Sequence, residues 1–189
     1  MKVIKAKTAG FCFGVKRAVD TVYKQVDTKC GQIYTYGPII HNEEVIKDMR
    51  DKGVIVLRSE EDLDMISQGT VIIRSHGVEK RIYEKIEQKG LRIVDATCPF
   101  VKKIHNIVSE KSGEGFHIII IGNPEHPEVV GIKGWAKDNV TVIQSAEDAE
   151  CFTADRKEKI CIVSQTTFNY NKFKDLVEII MKKSYAFGE

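Results

Sequence analysis

Charge of one sign is what this sequence has least of. Its 29 basic and 27 acidic side chains leave a formal net charge of only +2, which gives no electrostatic footprint for a nucleic-acid backbone. Long apolar runs are also missing. The longest, HIIIIG at 117–122, falls far short of the roughly 20 residues a membrane-spanning helix needs. The opening MKVIKAKTAG lacks the apolar core of a signal peptide, so the protein is expected to be cytoplasmic. Five cysteines at 12, 30, 98, 151 and 161 show no short CxxC spacing, and the histidines no HxxxH. In a reducing compartment that argues against a disulfide framework, and it weighs against a structural zinc site. No linker rich in Pro, Gly or Ser separates the halves, so any boundary near residue 97 is tight.

What is present is enough to build a core. With 42% hydrophobic residues in 189, the length suits one domain or two small ones. After Cys12 the apolar positions Val15, Ala18, Val19, Val22, Tyr23 and Val26 recur at helical spacing, ending near Gly31. QIYTY reads as a strand. NEEVIKDMRDKG reads as a helix with Asn42 as N-cap, a stripe of Val45, Ile46 and Met49, and a closing Gly53. VIVL, TVIIR, LRIVDAT, FHIIII, VTVI and KICIVS read as further strands; EKRIYEKIEQKG, FVKKIHNIVSEK and NKFKDLVEIIMKK read as helices. This alternation predicts an α/β fold of small parallel-sheet modules.

The alternation repeats. GFCFGVKRAV around Cys12 returns as ATCPFVKKIH around Cys98, 98 − 12 = 86 residues later. GPIIHNEEV with His41 is answered by GNPEHPEVV with His126, and RSHG with His76 by SQTT with Thr166. A repeat of this length is the organising fact of the chain. It predicts a first module over 1–97, with an opening strand KVIKAK and the first cysteine turn, and a second over 98–189, cut before its last strand.

The polar residues of the repeat fall at or just past the carboxyl ends of predicted strands, where parallel sheets bind ligands. Cys12, His41, His76, Cys98, His126 and Thr166 are all placed so, and with Glu128 they are expected to meet in one cleft. A cysteine preceding a helix N-terminus is a good thiolate candidate, as iron or zinc requires. Histidines and a hydroxyl beside other helix starts suit a phosphate-like anion. Plainer readings hold elsewhere. Cys30, Cys151 and Cys161 read as small buried hydrophobes. His105 and His117 read as surface or core residues, Trp135 as core, and the Lys-Arg and Lys-Lys pairs after the two cysteines as solvated helix faces.

GFCFGVKRAV, PIIHNEEV, RSHGV, DATCPFVKKIH, HPEVVG and SQTTF, in this order and spacing, closely resemble the 4-hydroxy-3-methylbut-2-enyl diphosphate reductase family. The resemblance implies three similar α/β modules around a central [4Fe-4S] cluster, each giving one cysteine. It implies reductive dehydration of that allylic diphosphate to isopentenyl and dimethylallyl diphosphate, the last step of the methylerythritol phosphate route to isoprenoids. Electrons would come from a donor such as ferredoxin or flavodoxin. Cys12 and Cys98 match two cluster ligands, and His41, His76 and His126 match substrate-binding histidines. Glu128 matches the proton donor to the departing hydroxyl, and Thr166 the residue that orients substrate and supports that transfer.

The resemblance implies a third cysteine, and counting on from Thr166 by the 22 residues that separate His76 from Cys98 puts it near residue 188, where the chain has none, so this chain is expected to be an incomplete form of doubtful activity. Two other readings stay open: a redox-inactive module that binds a diphosphate or another anion through its histidines, and a zinc protein using Cys12, Cys98 and histidines.

Overall fold

A computed structural model describes residues 2–7, 9–28, 31–154 and 158–186. The order of elements is α1 (Phe13–Thr28), β1 (Ile33–Tyr36), α2 (Glu43–Asp51), β2 (Ile55–Leu57), α3 (Glu60–Asp64), β3 (Thr70–Ile73), α4 (Lys80–Gln88) and β4 (Arg92–Asp95). There follow α5 (Pro99–Gly113), β5 (His117–Ile121), α6 (Pro127–Lys133), β6 (Val140–Ile143), α7 (Ala146–Cys151), β7 (Ile160–Ser164) and α8 (Tyr170–Ala186). The chain is α/β with two parallel sheets, one ordered β2-β1-β3-β4 and the other β6-β5-β7. Two compact units result, one of Met1–Ser75 with Lys85–Pro99, the other of His76–Glu84 with Phe100–Glu189.

Each unit is wound alike. A strand is laid down, the next is added to one side, and the third crosses to the other side through a helix. Central strands of such sheets are covered on both faces, which explains the uninterrupted runs TVII and IIII: every residue of β3 is buried, and all of β5 after His117. In the first unit α1 packs Ala18, Val19 and Val22 against Ile33, Ile72 and Ala96. Full burial of a valine side chain contributes about 1.5–3 kcal/mol, whereas the exposed Lys16–Asp20 pair on the far face of α1 adds well under about 1. In the second unit α8 and α7 cover one face of the sheet through Leu176, Ile180 and Ala149, while Val108, Val129 and Ile132 cover the other.

Caps stop and start these helices where their chemistry allows. Asn42 accepts from the Val45 amide at 3.0 Å, as its position before NEEV predicts. Three short helices, α3, α6 and α7, were not apparent in the apolar spacing, because five to seven residues show too little of a 3.6-residue period. Two of them carry a readable cap. Ser59 and Ser145, 86 residues apart, each accept from the amide three residues on, of Asp62 and Asp148.

Two expectations need correction. Lys2–Lys7 forms no strand among the described residues, and Val3 and Ile4 are exposed. Among the described residues the run pairs with neither sheet, and the Ala6 carbonyl accepts instead from the Ala9 amide at 3.2 Å, closing a local turn where a ladder is expected. Cys151 ends α7 exposed instead of serving as a buried hydrophobe. The helix turns its buried side inward at Ala149, which leaves Cys151 to solvent. Cys161 is half-buried in β7, where burial pushes its thiol pKa up. Cys30 lies outside the described residues.

Candidate functional site

In the first unit the cysteine turns are built around the start of α1. Cys12 is exposed immediately before the helix, and its carbonyl accepts from the Lys16 amide at 2.9 Å. The Cys98 turn continues the β3–β4 ladder beyond its last strand pair. The Ala96 amide donates to the Ile73 carbonyl at 3.1 Å and the Cys98 amide to the Ser75 carbonyl at 2.9 Å. Arg17 locks the turn from α1, donating from Nη1 to the Thr97 carbonyl at 2.8 Å and from Nη2 to the Asp95 carbonyl at 3.3 Å. This corrects the reading of Arg17 as part of a solvated pair: its guanidinium satisfies carbonyls at the end of β4, while Lys16, Lys102 and Lys103 do remain exposed.

Gly14 completes the arrangement. A Cβ there would lie 2.6 Å from Cys98 Sγ and 3.1 Å from its Cβ. The sulfur therefore rests directly on the first turn of α1, two residues from Cys12, in space that only glycine leaves. His41 is exposed in the turn before α2, anchored by the buried Ile39 and Ile40 on its amino side. The Ile39 carbonyl accepts from the Ser75 amide and hydroxyl at 3.4 and 3.2 Å, tying the His41 turn to the one after β3. Among the described residues no group of three or more His, Cys, Asp or Glu side chains is arranged to hold a metal ion.

In the second unit four of the singled-out residues come together. His126 caps α6 with its ring: Nδ1 accepts from the Glu128 amide at 3.1 Å. In the neutral imidazole that leaves the proton on Nε2, directed away from the helix. Glu128 is 1% exposed, and its carboxylate accepts from the Thr166 amide at 2.6 Å and the Thr166 hydroxyl at 2.8 Å. A buried carboxylate tolerates its desolvation only with such donors. The His76 ring meets the His126 ring edge-on, with centroids 5.5 Å apart and planes at 85°.

The His76 turn is held there by close packing on α6. A Cβ on Gly131 would stand 3.5 Å from the Gly77 carbonyl carbon, so the two backbones nearly touch. Trp135 Nε1 donates to the Val78 carbonyl at 2.9 Å, and the Lys80 amide to the Gly134 carbonyl at 3.4 Å. Trp135 is half-buried and stacks on His105, which is itself 1% exposed and thus core. His117 opens β5 and places its ring nitrogens 2.9 Å from Glu158 and 2.8 Å from the Thr141 hydroxyl, a structural role.

Gln165 was not picked out from the sequence, although it stands in the SQTT stretch beside Thr166. Its side chain accepts from the Asn123 amide at 3.2 Å and donates to the Thr167 hydroxyl at 2.9 Å, linking the turns after β5 and β7. A buried carboxyl, a hydroxyl bound to it and a pair of imidazoles form a set of the kind used to bind anions and in general acid-base chemistry.

The sequence matches the LytB protein family over residues 3–188. Two relatives named 4-hydroxy-3-methylbut-2-enyl diphosphate reductase come from Caldanaerobacter subterraneus and Thermoanaerobacter sp. (strain X514). They are 45% and 48% identical over 185 residues, with 97% of this chain covered in both. The chain spans about 64% of the length of these relatives. The fold superposes on the reductase from Plasmodium falciparum with a TM-score of 0.87 at 30% identity, covering 94% of this chain and 55% of that one. A second solved structure, described as the terminal enzyme of the non-mevalonate pathway, gives 0.80 at 37% identity, covering 96% and 64%.

Proposed function

The chain belongs to the LytB family, and from that membership we propose that it carries binding and proton-transfer residues for reductive dehydration of 4-hydroxy-3-methylbut-2-enyl diphosphate. The products are isopentenyl and dimethylallyl diphosphate. The observation that supports this most is the buried Glu128 carboxylate, held by the Thr166 amide and hydroxyl two residues from His126, whose ring meets that of His76.

His41, His76 and His126 bind the diphosphate, to which ring N–H groups donate; the tautomer imposed by the Glu128 amide turns His126 Nε2–H outward for this. Glu128 in its acid form protonates the leaving hydroxyl, which departs as water, and Thr166 orients both partners. Two electrons and two protons enter in all, one proton leaving in the water and one ending on carbon. Cys12 and Cys98 are two of the three thiolates of a [4Fe-4S] cluster. Their fit rests on the Cys98 sulfur lying against Gly14, two residues from Cys12. When bound, that cluster supplies the two electrons. The electron donor is a small redox protein such as ferredoxin or flavodoxin, and the enzyme works in the cytoplasm. Among the described residues no helix is long and apolar enough to cross a membrane.

The test is Glu128→Gln in a chain extended to the length of its relatives and reconstituted anaerobically. The amide keeps the shape but has no proton to transfer. Turnover is expected to fall by about 10²-fold or more while the diphosphate still binds. Unchanged turnover removes Glu128 from the reaction. Protein that is colourless and free of iron and sulfide, yet binds the diphosphate, replaces the reductase by the redox-inactive reading.

A further inference from the structure

The first unit has a cavity that none of the residues assigned above lines. It measures about 630 Å³ and opens where β1, β2 and β3 end, at Gly37, Arg58 and Arg74. Adjacent carboxyl ends of parallel strands are where such sheets take ligands, and the volume lies within the usual range for small-molecule sites of about 300–1,000 Å³. Four cations, Lys47, Arg50, Arg58 and Arg74, line it together with two carboxylates, Glu43 and Glu44. The carboxylates occupy the first turn of α2, where the free amides of the helix already favour them. Lys47, Arg50 and Arg58 are exposed, and among the described residues none of the three is within 4 Å of a carboxylate.

The base of the cavity is a built feature. Gly37 has φ +73°, in the left-handed region, and a Cβ there would come within 2.6 Å of Arg74 Nη1. The turn therefore leaves room for the Arg74 side chain to pack on the Gly37 backbone, half-buried, with burial opposing its charge. Pro38, Ile46 and Val56 give the lining an apolar part. Guanidinium groups bind phosphate oxygens in a bidentate fork, and an apolar wall beside them accepts the uncharged remainder of a phosphate ester.

We propose that this cavity is a separate binding site for an organic phosphate or diphosphate, with the phosphate on Arg58 and Arg74, Arg50 and Lys47 adding charge, and the organic part against Ile46 and Val56. The reading holds whether or not the chain is a reductase, because it uses none of the residues assigned to that reaction.

Titration of the ¹⁵N-labelled chain with phenyl phosphate, and separately with inorganic phosphate, tests it. Phenyl phosphate should shift the amides of Gly37, Val56 and Arg58 saturably and bind several-fold more tightly than inorganic phosphate. Arg50→Glu combined with Arg58→Glu should weaken it by about tenfold or more, the loss expected when two charge-assisted contacts become repulsive. These two side chains are exposed, and circular dichroism checks that the fold persists. His126→Ala should leave the shifts at Gly37 and Arg58 intact. No saturable shift at these amides, equal affinity for the two phosphates, unaltered binding in the double variant, or loss of the shifts in His126→Ala would each overturn the proposal.

Discussion

Positions 12–17 and 98–103 carry the same motif, CFGVKR against CPFVKK, yet the two helices they open are used differently. In α1 the residue two past the cysteine is Gly14, buried under the Cys98 sulfur; in α5 it is Phe100, 67% exposed. In α1 the fifth residue past the cysteine is Arg17, bound to two carbonyls; in α5 it is the exposed Lys103. The strand winding is common to both units, but the first tethers a cysteine turn and the second buries a carboxylate. A repeat thus secures where turns emerge, and individual side chains decide what each turn holds.

The largest expected break in this comparison is at Gly14. Gly14→Val forces the Cys98 turn away from α1, and overpacking of this kind costs about 3 kcal/mol, more than the helix propensity it recovers. Phe100→Val, at the matching exposed position, should change stability by no more than about 0.5 kcal/mol. Urea unfolding followed by circular dichroism compares the two, and equal effects would show that the sulfur does not bear on the helix.

Next comes Arg17→Met, which keeps the apolar stem but leaves the Thr97 and Asp95 carbonyls without their donor. About 1–2 kcal/mol should be lost, against about 0.5 or less for Lys103→Met. Loss from Lys103 of the same size would remove the distinction.

The paired caps sharpen the comparison at smaller scale. Ser145 belongs to a reciprocal box: its hydroxyl accepts from the Asp148 amide at 3.2 Å and the Asp148 carboxylate accepts from the Ser145 amide at 3.0 Å. At Ser59 the hydroxyl bond is 3.4 Å, and the Asp62 carboxylate accepts from the Arg58 amide instead. Ser145→Ala is expected to cost about 1 kcal/mol and Ser59→Ala about half that, both read from unfolding midpoints.

The last effect has the opposite sign. Thr35 pairs with Val56 along the β1–β2 ladder, where the second unit pairs Ile120 with Val142. The Thr35 hydroxyl is buried without a hydrogen-bond partner and adjoins a void of about 10 Å³. Thr35→Val should stabilise the protein by about 0.5–1 kcal/mol, since an unmade buried bond is exchanged for packing. A lower unfolding midpoint would show that the hydroxyl is satisfied after all.

Much of this was open to reading from the chain alone. The helix of Val15, Ala18, Val19 and Val22, the buried runs TVII and IIII and the Asn42 cap all follow from local periodicity and hydrogen-bond chemistry. Of the singled-out polar residues, His76, His126, Glu128 and Thr166 do come into contact within one unit. Gln165 and Arg17 were not legible, because their partners lie 42 and 78–80 residues away and no local pattern marks them.

By itself, the sequence determined the α/β alternation, the parallel sheets and the spacing of about 86 residues between matching turns, because side-chain period and helix caps act over a few residues at a time. Tertiary structure alone decided that KVIKAK stays out of both sheets, that Cys151 faces water, and that Cys98 rests on Gly14. It also decided that the Glu128 carboxylate is closed off by Thr166. These outcomes depend on which backbone arrives opposite each residue, and that is set by the packing of elements distant in the chain.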